Sequence, residues 1–267
     1  MNQLSIDKLK KIRLFLLDLD GTVYLDDLLI PGVREFVLEL KKKEIPYIFL
    51  TNNSSRSANE YVSKLNNLGI PLSHDNVLTS GQATAIYLAE KKKNASLFVL
   101  GTDSLKKELM DYGFLIEDGS DRVDYVIAAF DTELSYQKLV KACRLLDDGA
   151  GFIATNPDLV CPRLDKHYIP DCGSICLLLE NATGRQPVFI GKPHTKMIEI
   201  IRKKFPVSPD KIAIVGDRLY TDIALGCNAG IMTVCVLSGE STLQDISKSA
   251  YKPDIVIDSI NILNEIF

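Results

Sequence analysis

The sequence predicts an α/β fold built on a mainly parallel, doubly wound, Rossmann-like sheet. Three observations carry that expectation. Short, near-continuous apolar runs recur and close in polar or glycine-containing turns, as strands buried on both faces do. Amphipathic segments with helical spacing lie between many of them. Polar residues gather at the carboxyl-side ends of the runs, where open α/β sheets bind ligands.

The runs are IRLFLLDLD (12–20), PYIFLTNN (46–53), SLFVLGTD (96–103), DYVIAAFD (124–131), GFIATNP (151–157), KIAIVGD (211–217), MTVCVLSG (232–239) and DIVIDS (254–259). After the first, Pro31 reads as an early helix position, with Val33, Phe36, Val37 and Leu40 at i, i+3, i+4, i+7 spacing. Lys41, Lys42 and Lys43 suit the negative end of that helix dipole. Ser57 and Glu60 form a capping box ahead of an apolar stripe of Tyr61, Leu65 and Leu68, and Gly69 suits the left-handed residue that ends a helix. Tyr136, Leu139, Val140, Cys143 and Leu146 make a further stripe, and Met197, Ile200 and Ile201 begin another after Pro193.

The chain has 267 residues, 46% apolar and 25% charged, enough for one large domain or two small ones. Its net charge is −4 and its basic residues are spread along the chain, which argues against a general nucleic-acid binder. No apolar run reaches the roughly 18 residues of a membrane span. Acids end the first apolar stretch where a signal peptide needs small residues, so a cytoplasmic protein is expected. The six cysteines form no CxxC pair, and Cys172 and Cys176 lack a second pair, so reduced thiols are expected and zinc is not. No repeat or Pro/Ser-rich linker appears. Polar strand ends cluster near residues 18–56 and 190–222, with about 100 residues between them that carry their own strand–helix pattern. The expected organisation is a core of residues 1–81 and 182–267 with an inserted α/β domain at 82–181.

The strand ends suggest a chemistry. The first gives Asp18, Asp20, Gly21 and Thr22; the second gives Thr51, Asn52 and Asn53; a later one gives Gly216, Asp217 and then Asp222, with Lys192 ahead of it. Converging carboxylates repel, and a hard divalent cation such as Mg²⁺ would compensate them. A lysine would balance the remaining charge. This set suits phosphoryl transfer, in which one carboxylate attacks phosphorus and its neighbour moves protons. Read blandly, a DxD pair is a solvated turn, Asp222 complements a helix N-terminus, Asn156-Pro157-Asp158 is a turn, and His167 and Asp171 are loop residues.

DLDGT (18–22), LTNN (50–53), GKP (191–193) and GDRLYTDI (216–223) resemble, in order, the four motifs of the haloacid dehalogenase superfamily. The spacing of the second and third motifs is similar to the branch with a large α/β cap, which includes NagD-like nucleotidases and p-nitrophenyl phosphatases. IATNPD (153–158) and CGSI (172–175) also resemble that branch. The resemblance implies a Mg²⁺-dependent phosphatase of small phosphorylated metabolites, sugar phosphates or nucleoside monophosphates, whose cap closes over the core. Asp18 would be nucleophile and metal ligand, and Asp20 the general acid/base that lends its carbonyl to the metal. Thr51, Asn52, Asn53 and Lys192 would hold phosphate or substrate, and Asp217 and Asp222 would serve the metal. Asn156 and Cys161 are the cap's candidate substrate contacts; a histidine stands in that loop in some relatives, so cysteine argues against pyridoxal phosphate. Asp20 separates the chain from the dehalogenase branch, and the DKTGT of P-type ATPases is absent. Capped relatives often pair through the cap, which makes a homodimer an expectation. A non-catalytic phosphometabolite-binding module would not need both Asp18 and Asp20, and a phosphotransferase remains the other alternative.

Overall fold

A computed structural model describes residues 3–162 and 167–267. The chain divides into two compact units: Met1–Thr51, Tyr61–Leu78 and Lys192–Phe267 form the first, and Asn52–Glu60 with Thr79–Gly191 form the second. Each of the eight apolar runs contains a strand.

The first unit is built on a six-stranded sheet, ordered Ile255–Ile257, Met232–Val236, Ile212–Gly216, Leu14–Asp18, Tyr47–Thr51, Val77–Thr79. The ladders joining the first five of these are parallel. Counted from the first strand, this is the 3-2-1-4-5-6 order of the doubly wound fold. The order reverses between Leu14–Asp18 and Ile212–Gly216, so their carboxyl ends flank the switch point where such sheets bind ligands. Leu14–Asp18, Tyr47–Thr51 and Ile212–Gly216 are buried at every position, which explains why they read as continuous apolar runs.

Helix Val33–Lys42 buries the expected Val33, Phe36, Val37 and Leu40. It begins later than Pro31 suggests, because Gly32 sits at φ 87° and turns the chain into the helix. Helix Ala58–Asn67 has its capping box: Ser57 N–H donates to Glu60 Oε2 (2.8 Å) and Glu60 N–H to Ser57 Oγ (3.4 Å). In helix Lys196–Lys204 the buried face is Met197, Ile198 and Ile201, with Ile200 only half-buried at its margin.

The second unit has a five-stranded sheet, ordered Val188–Phe189, Gly151–Ala154, Tyr125–Ala128, Ser96–Leu100, Leu115–Ile116, parallel throughout. Its helices, Ser80–Lys91, Asp103–Asp111, Tyr136–Asp147 and Cys172–Thr183, each start at a side-chain cap: Thr79, Thr102, Ser135 and Asp171. Such caps contribute about 1 kcal/mol each. One core joins Phe98, Val126, Leu139, Leu146, Phe152, Ile175 and Leu179. Cys172 and Cys176 belong to it with their sulfurs 3.9 Å apart, and all six cysteines are free thiols. Tyr136 departs from the expected stripe. At the first position of its helix it is 76% exposed, and Leu139, Ala142, Leu145 and Leu146 form the buried face. No helix among the described residues is long and apolar enough to cross a membrane.

Glu108 is an acid in the second unit that the sequence did not single out. It is 8% exposed, Oε1 accepts from Ala58 N–H (2.9 Å), and Oε2 is buried without a hydrogen-bond partner. Burial pushes its carboxyl up to about 7 against the Ala58 hydrogen bond, with Glu60 and Asp111 adding to the rise. The folded protein therefore keeps a proton that the unfolded chain, near 4.5, has released. Stability should fall as pH rises from about 4.5 to about 7, by up to about 3 kcal/mol. Glu108→Gln should flatten this dependence in urea unfolding measured from pH 4.5 to 8; an unchanged slope would assign it to another group.

Candidate active site

Asp18 closes the first strand and Asp217 follows Gly216 at the end of the strand across the switch point. Asp222 returns to them through a wide helical turn, Leu219–Ile223, in which Ile223 N–H reaches Arg218 C=O (3.2 Å), five residues back. Gly216 permits that return: a Cβ there would lie 2.4 Å from Asp222 Cβ. Asp18, Asp217 and Asp222 are 7%, 2% and 0% exposed, and one oxygen of each falls within 4.8 Å of the others. Like charges at that spacing repel by about 3–4 kcal/mol per pair at an effective dielectric near 20.

Lys192 answers part of this charge. Its ammonium is buried, contacts Asp18 Oδ1, and donates to Asp222 Oδ1 (2.7 Å) and Leu50 C=O (3.3 Å). Burial alone would lower its pKa, but the Asp18 and Asp222 charges hold it above the ordinary lysine value. One lysine does not neutralise three acids. Burial and then the Asp222 charge push Asp18 well up, against Lys192. Burial and the Asp222 charge also push Asp217 up, to about 6. Asp217 Oδ2 accepts from Glu240 N–H (2.7 Å), while Oδ1 is buried with no hydrogen-bond partner. An all-oxygen donor set, excess negative charge and an orphaned carboxylate oxygen fit a hard divalent cation.

Asp20 lies on the turn after Asp18 and is exposed; its carboxylate is outside that oxygen group. Protein packed around it raises its pKa, offset by the charges of Lys64, Arg218 and Lys192 and by a long hydrogen bond from Tyr24 (3.5 Å). The turn depends on Gly21, at φ 89°, where a Cβ would also stand 2.4 Å from Asp217 Oδ2.

Thr51 ends the strand beside Asp18 and is buried. The neighbouring candidates are engaged within the second unit. Asn52 Nδ2 donates to Asp158 Oδ2 (2.9 Å), its carbonyl accepts from Ser80 Oγ (2.6 Å), and Asn53 Oδ1 accepts from Ser55 N–H (3.0 Å) and Oγ (2.7 Å). Asn156 is fully buried: Oδ1 accepts from Thr155 Oγ1 (2.8 Å), and Nδ2 donates to Asp158 Oδ2 (3.0 Å) and Asp171 Oδ1 (3.3 Å). Cys161 is half-buried on the hairpin Val160–Pro162/Tyr168–Pro170. Asp171 caps the helix at Cys172 (2.5 Å to its N–H), and His167 is exposed.

Arg218, Glu240, Gly239, Ser238 and Lys64 adjoin the site without being expected from the sequence, and Asp158, expected only in a turn, is a buried acceptor. Arg218 lies inside the quoted GDRLYTDI, and Ser238–Glu240 follows the strand in MTVCVLSG, so the rule that polar strand ends bind ligands already pointed at them. Lys64 and Asp158 carry no such signal, because an isolated charge in a helix or turn reads as solvated.

The haloacid dehalogenase-like hydrolase family matches residues 15–115, and the related HAD-hydrolase-like family matches 189–263. The 5'-nucleotidase YutF of Bacillus subtilis is 35% identical over 252 residues, covering 94% of this chain and 97% of that protein. An acid sugar phosphatase of Staphylococcus saprophyticus is 35% identical over 253 residues, covering 95% and 97%. The crystal structure of a 4-nitrophenylphosphatase from Thermotoga maritima superposes with a TM-score of 0.93 at 45% identity, covering 97% of this chain and 98% of that one.

The buried asparagine network makes its own prediction. Asp158→Ala would remove an acceptor that the Asn52 and Asn156 amides share, Asn156 keeping Asp171, at a cost of about 1–3 kcal/mol in urea unfolding, while Asp158→Asn, which keeps an oxygen there, should lose less. Equal losses would show that the network does not depend on this acceptor.

With the geometry, the order of motifs and these likenesses together, the chain belongs to the haloacid dehalogenase-like hydrolases, in the branch of the NagD-like proteins and 4-nitrophenylphosphatases.

Proposed function

We propose that this enzyme, a phosphatase of the haloacid dehalogenase type, hydrolyses phosphate monoesters of small metabolites through an aspartyl-phosphate on Asp18, with Mg²⁺ as cofactor. The observation that carries the reading is the buried group of Asp18, Asp217 and Asp222 oxygens, with Lys192 as its counter-charge. Asp18, Asp217 and Asp222, with the Asp20 carbonyl, would hold the cation. When bound, it would neutralise the carboxylates and the phosphoryl oxygens, the Lewis-acid role of metals in such reactions.

The chain's own residues divide the rest. An Asp18 oxygen attacks phosphorus and the bond to the ester oxygen breaks; the departing alkoxide takes the proton of the Asp20 carboxyl. Asp20, now a carboxylate, takes a proton from water as that water attacks the aspartyl-phosphate. The bond from phosphorus to Asp18 breaks, inorganic phosphate leaves, and both acids return to their starting states. Burial raises the Asp20 pKa against the charges of Lys64, Arg218 and Lys192, the direction a general acid needs. Thr51, Asn52, Asn53 and Lys192 are assigned to phosphoryl or substrate binding, and Asn156 and Cys161 to substrate contact. The Asn52 and Asn156 hydrogen bonds above make these two side chains positioning groups as much as ligands.

Relatives named for a 5'-nucleotidase and an acid sugar phosphatase support nucleoside monophosphates or sugar phosphates as the substrate class. Six free thiols fit a reducing cytoplasm, and a homodimer paired through the cap accompanies the reading as an expectation of the family.

The purified chain should release phosphate from 4-nitrophenyl phosphate with Mg²⁺, stop in EDTA and recover on adding Mg²⁺ back. Asp18→Asn should lower kcat by at least about 10³-fold. Asp20→Asn should accumulate acid-stable phosphoprotein, because 4-nitrophenolate departs without a proton while hydrolysis of the intermediate loses its base. Ligand binding without phosphate release would make the protein a binding module, and preferential transfer to alcohol acceptors a phosphotransferase.

A further inference from the structure

We infer that the loop Ser238–Gly239–Glu240, braced by Arg218 and Tyr220, is a positioning element that sets divalent-cation affinity by fixing the Asp217 carboxylate. The inference rests on the cation reading above but assigns residues outside its ligand set.

Four contacts converge on Asp217. Glu240 N–H donates to Oδ2 (2.7 Å), which leaves Oδ1, buried and without a partner, as the oxygen free to face a cation. Gly239 packs against the same carboxylate so closely that a Cβ would lie 2.0 Å from Oδ2 and 2.4 Å from Cγ. Gly21 approaches from the turn after Asp18, and its Cβ would lie 3.0 Å from Gly239 Cα. The carboxylate is thus held between two glycines from opposite sides of the switch point. Ser238 Oγ donates to Gly21 C=O (2.7 Å), tying the loop to that turn, and Ser241 N–H reaches Asp217 C=O (3.3 Å).

The Glu240 side chain secures the other end. Arg218 Nε lies 3.1 Å from Oε2, and Tyr220 O–H reaches Oε1 and Oε2 at 2.9 and 3.1 Å. Both partners come from the segment that begins with Asp217. Glu240 lies outside the carboxylate group itself, so it acts through its backbone N–H and through the loop it anchors. A ligand oxygen held in place before the cation arrives needs no reordering when it binds. Partners of this kind typically contribute 10–100-fold to metal affinity.

The test is calorimetric titration of Mn²⁺ into the EDTA-stripped full chain. Glu240→Ala should weaken binding about 10-fold and Gly239→Ala about 100-fold, while Glu240→Gln, which keeps one acceptor oxygen for the Tyr220 hydroxyl but not the ion pair to Arg218, should lose less than Glu240→Ala. Glu240 is partly exposed, so its variants remain informative if Gly239→Ala fails to fold. In turnover, the Mg²⁺ concentration for half-maximal activity of Glu240→Ala should rise about 10-fold, with kcat restored at saturating Mg²⁺. Wild-type affinity in Glu240→Ala, or a kcat that excess Mg²⁺ does not restore, would overturn the inference and leave the cation reading standing. Absence of Mn²⁺ binding by the wild-type chain would overturn both.

Discussion

Asp18, Asp217 and Asp222 are buried within a few ångströms of one another; Lys192 pairs directly with Asp18 and Asp222, and the Arg218 charge acts on Asp217. A fold does not gather such a group without cost. Each carboxylate loses hydration and gains a repulsive neighbour, and the nearby cations offset only part of that cost. Burial first, and the Asp222 charge second, hold the pKa values of Asp18 and Asp217 above the ordinary carboxylate range. Such a group of buried carboxylate oxygens fits a hard divalent cation, which would offset the charge that the protein leaves.

The backbone bears much of the work of bringing these acids together. Two parallel strands that are neighbours in space but distant in sequence present Asp18 and Asp217 on either side of the reversal in strand order. Glycines then admit the approach: Gly21 and Gly239 at Asp217, Gly216 beneath Asp222. The wide turn at Leu219–Ile223 lets Asp222 meet Lys192 without breaking the segment into a loop. The second unit has a separate economy of buried polar groups, in which Asp158 and Asp171 receive the asparagine amides and a helix start.

Much of this was legible in the sequence because it is local. Continuous apolar runs mark strands buried on both faces, and Asp18, Asp20, Asp217 and Asp222 stand where those runs stop. The Ser57–Glu60 box is a four-residue pattern and could be read directly. Val77–Thr79, Leu115–Ile116 and Val188–Phe189 are too short to show a period, and so went unseen. Tyr136 entered the wrong face because spacing alone does not say where a helix first touches its sheet. Glu240 escaped notice because its part is played by a backbone N–H, which no residue type announces. Asp158 and Asn52 are 106 positions apart, and only folding shows that they are partners.

The separation of Leu14–Asp18 from Ile212–Gly216 also governs how the molecule must come into being. The central strand of the first sheet pairs on one side with Tyr47–Thr51 and on the other waits for a partner about 200 residues downstream. All the strands of the second sheet lie within Ser96–Phe189, so that unit can assemble while the earlier strand is still missing its neighbour. During that interval Leu14–Leu17 is an unpaired apolar edge, the kind of segment that nascent-chain chaperones shield, and a slowdown in translation before residue 212 would prolong its exposure.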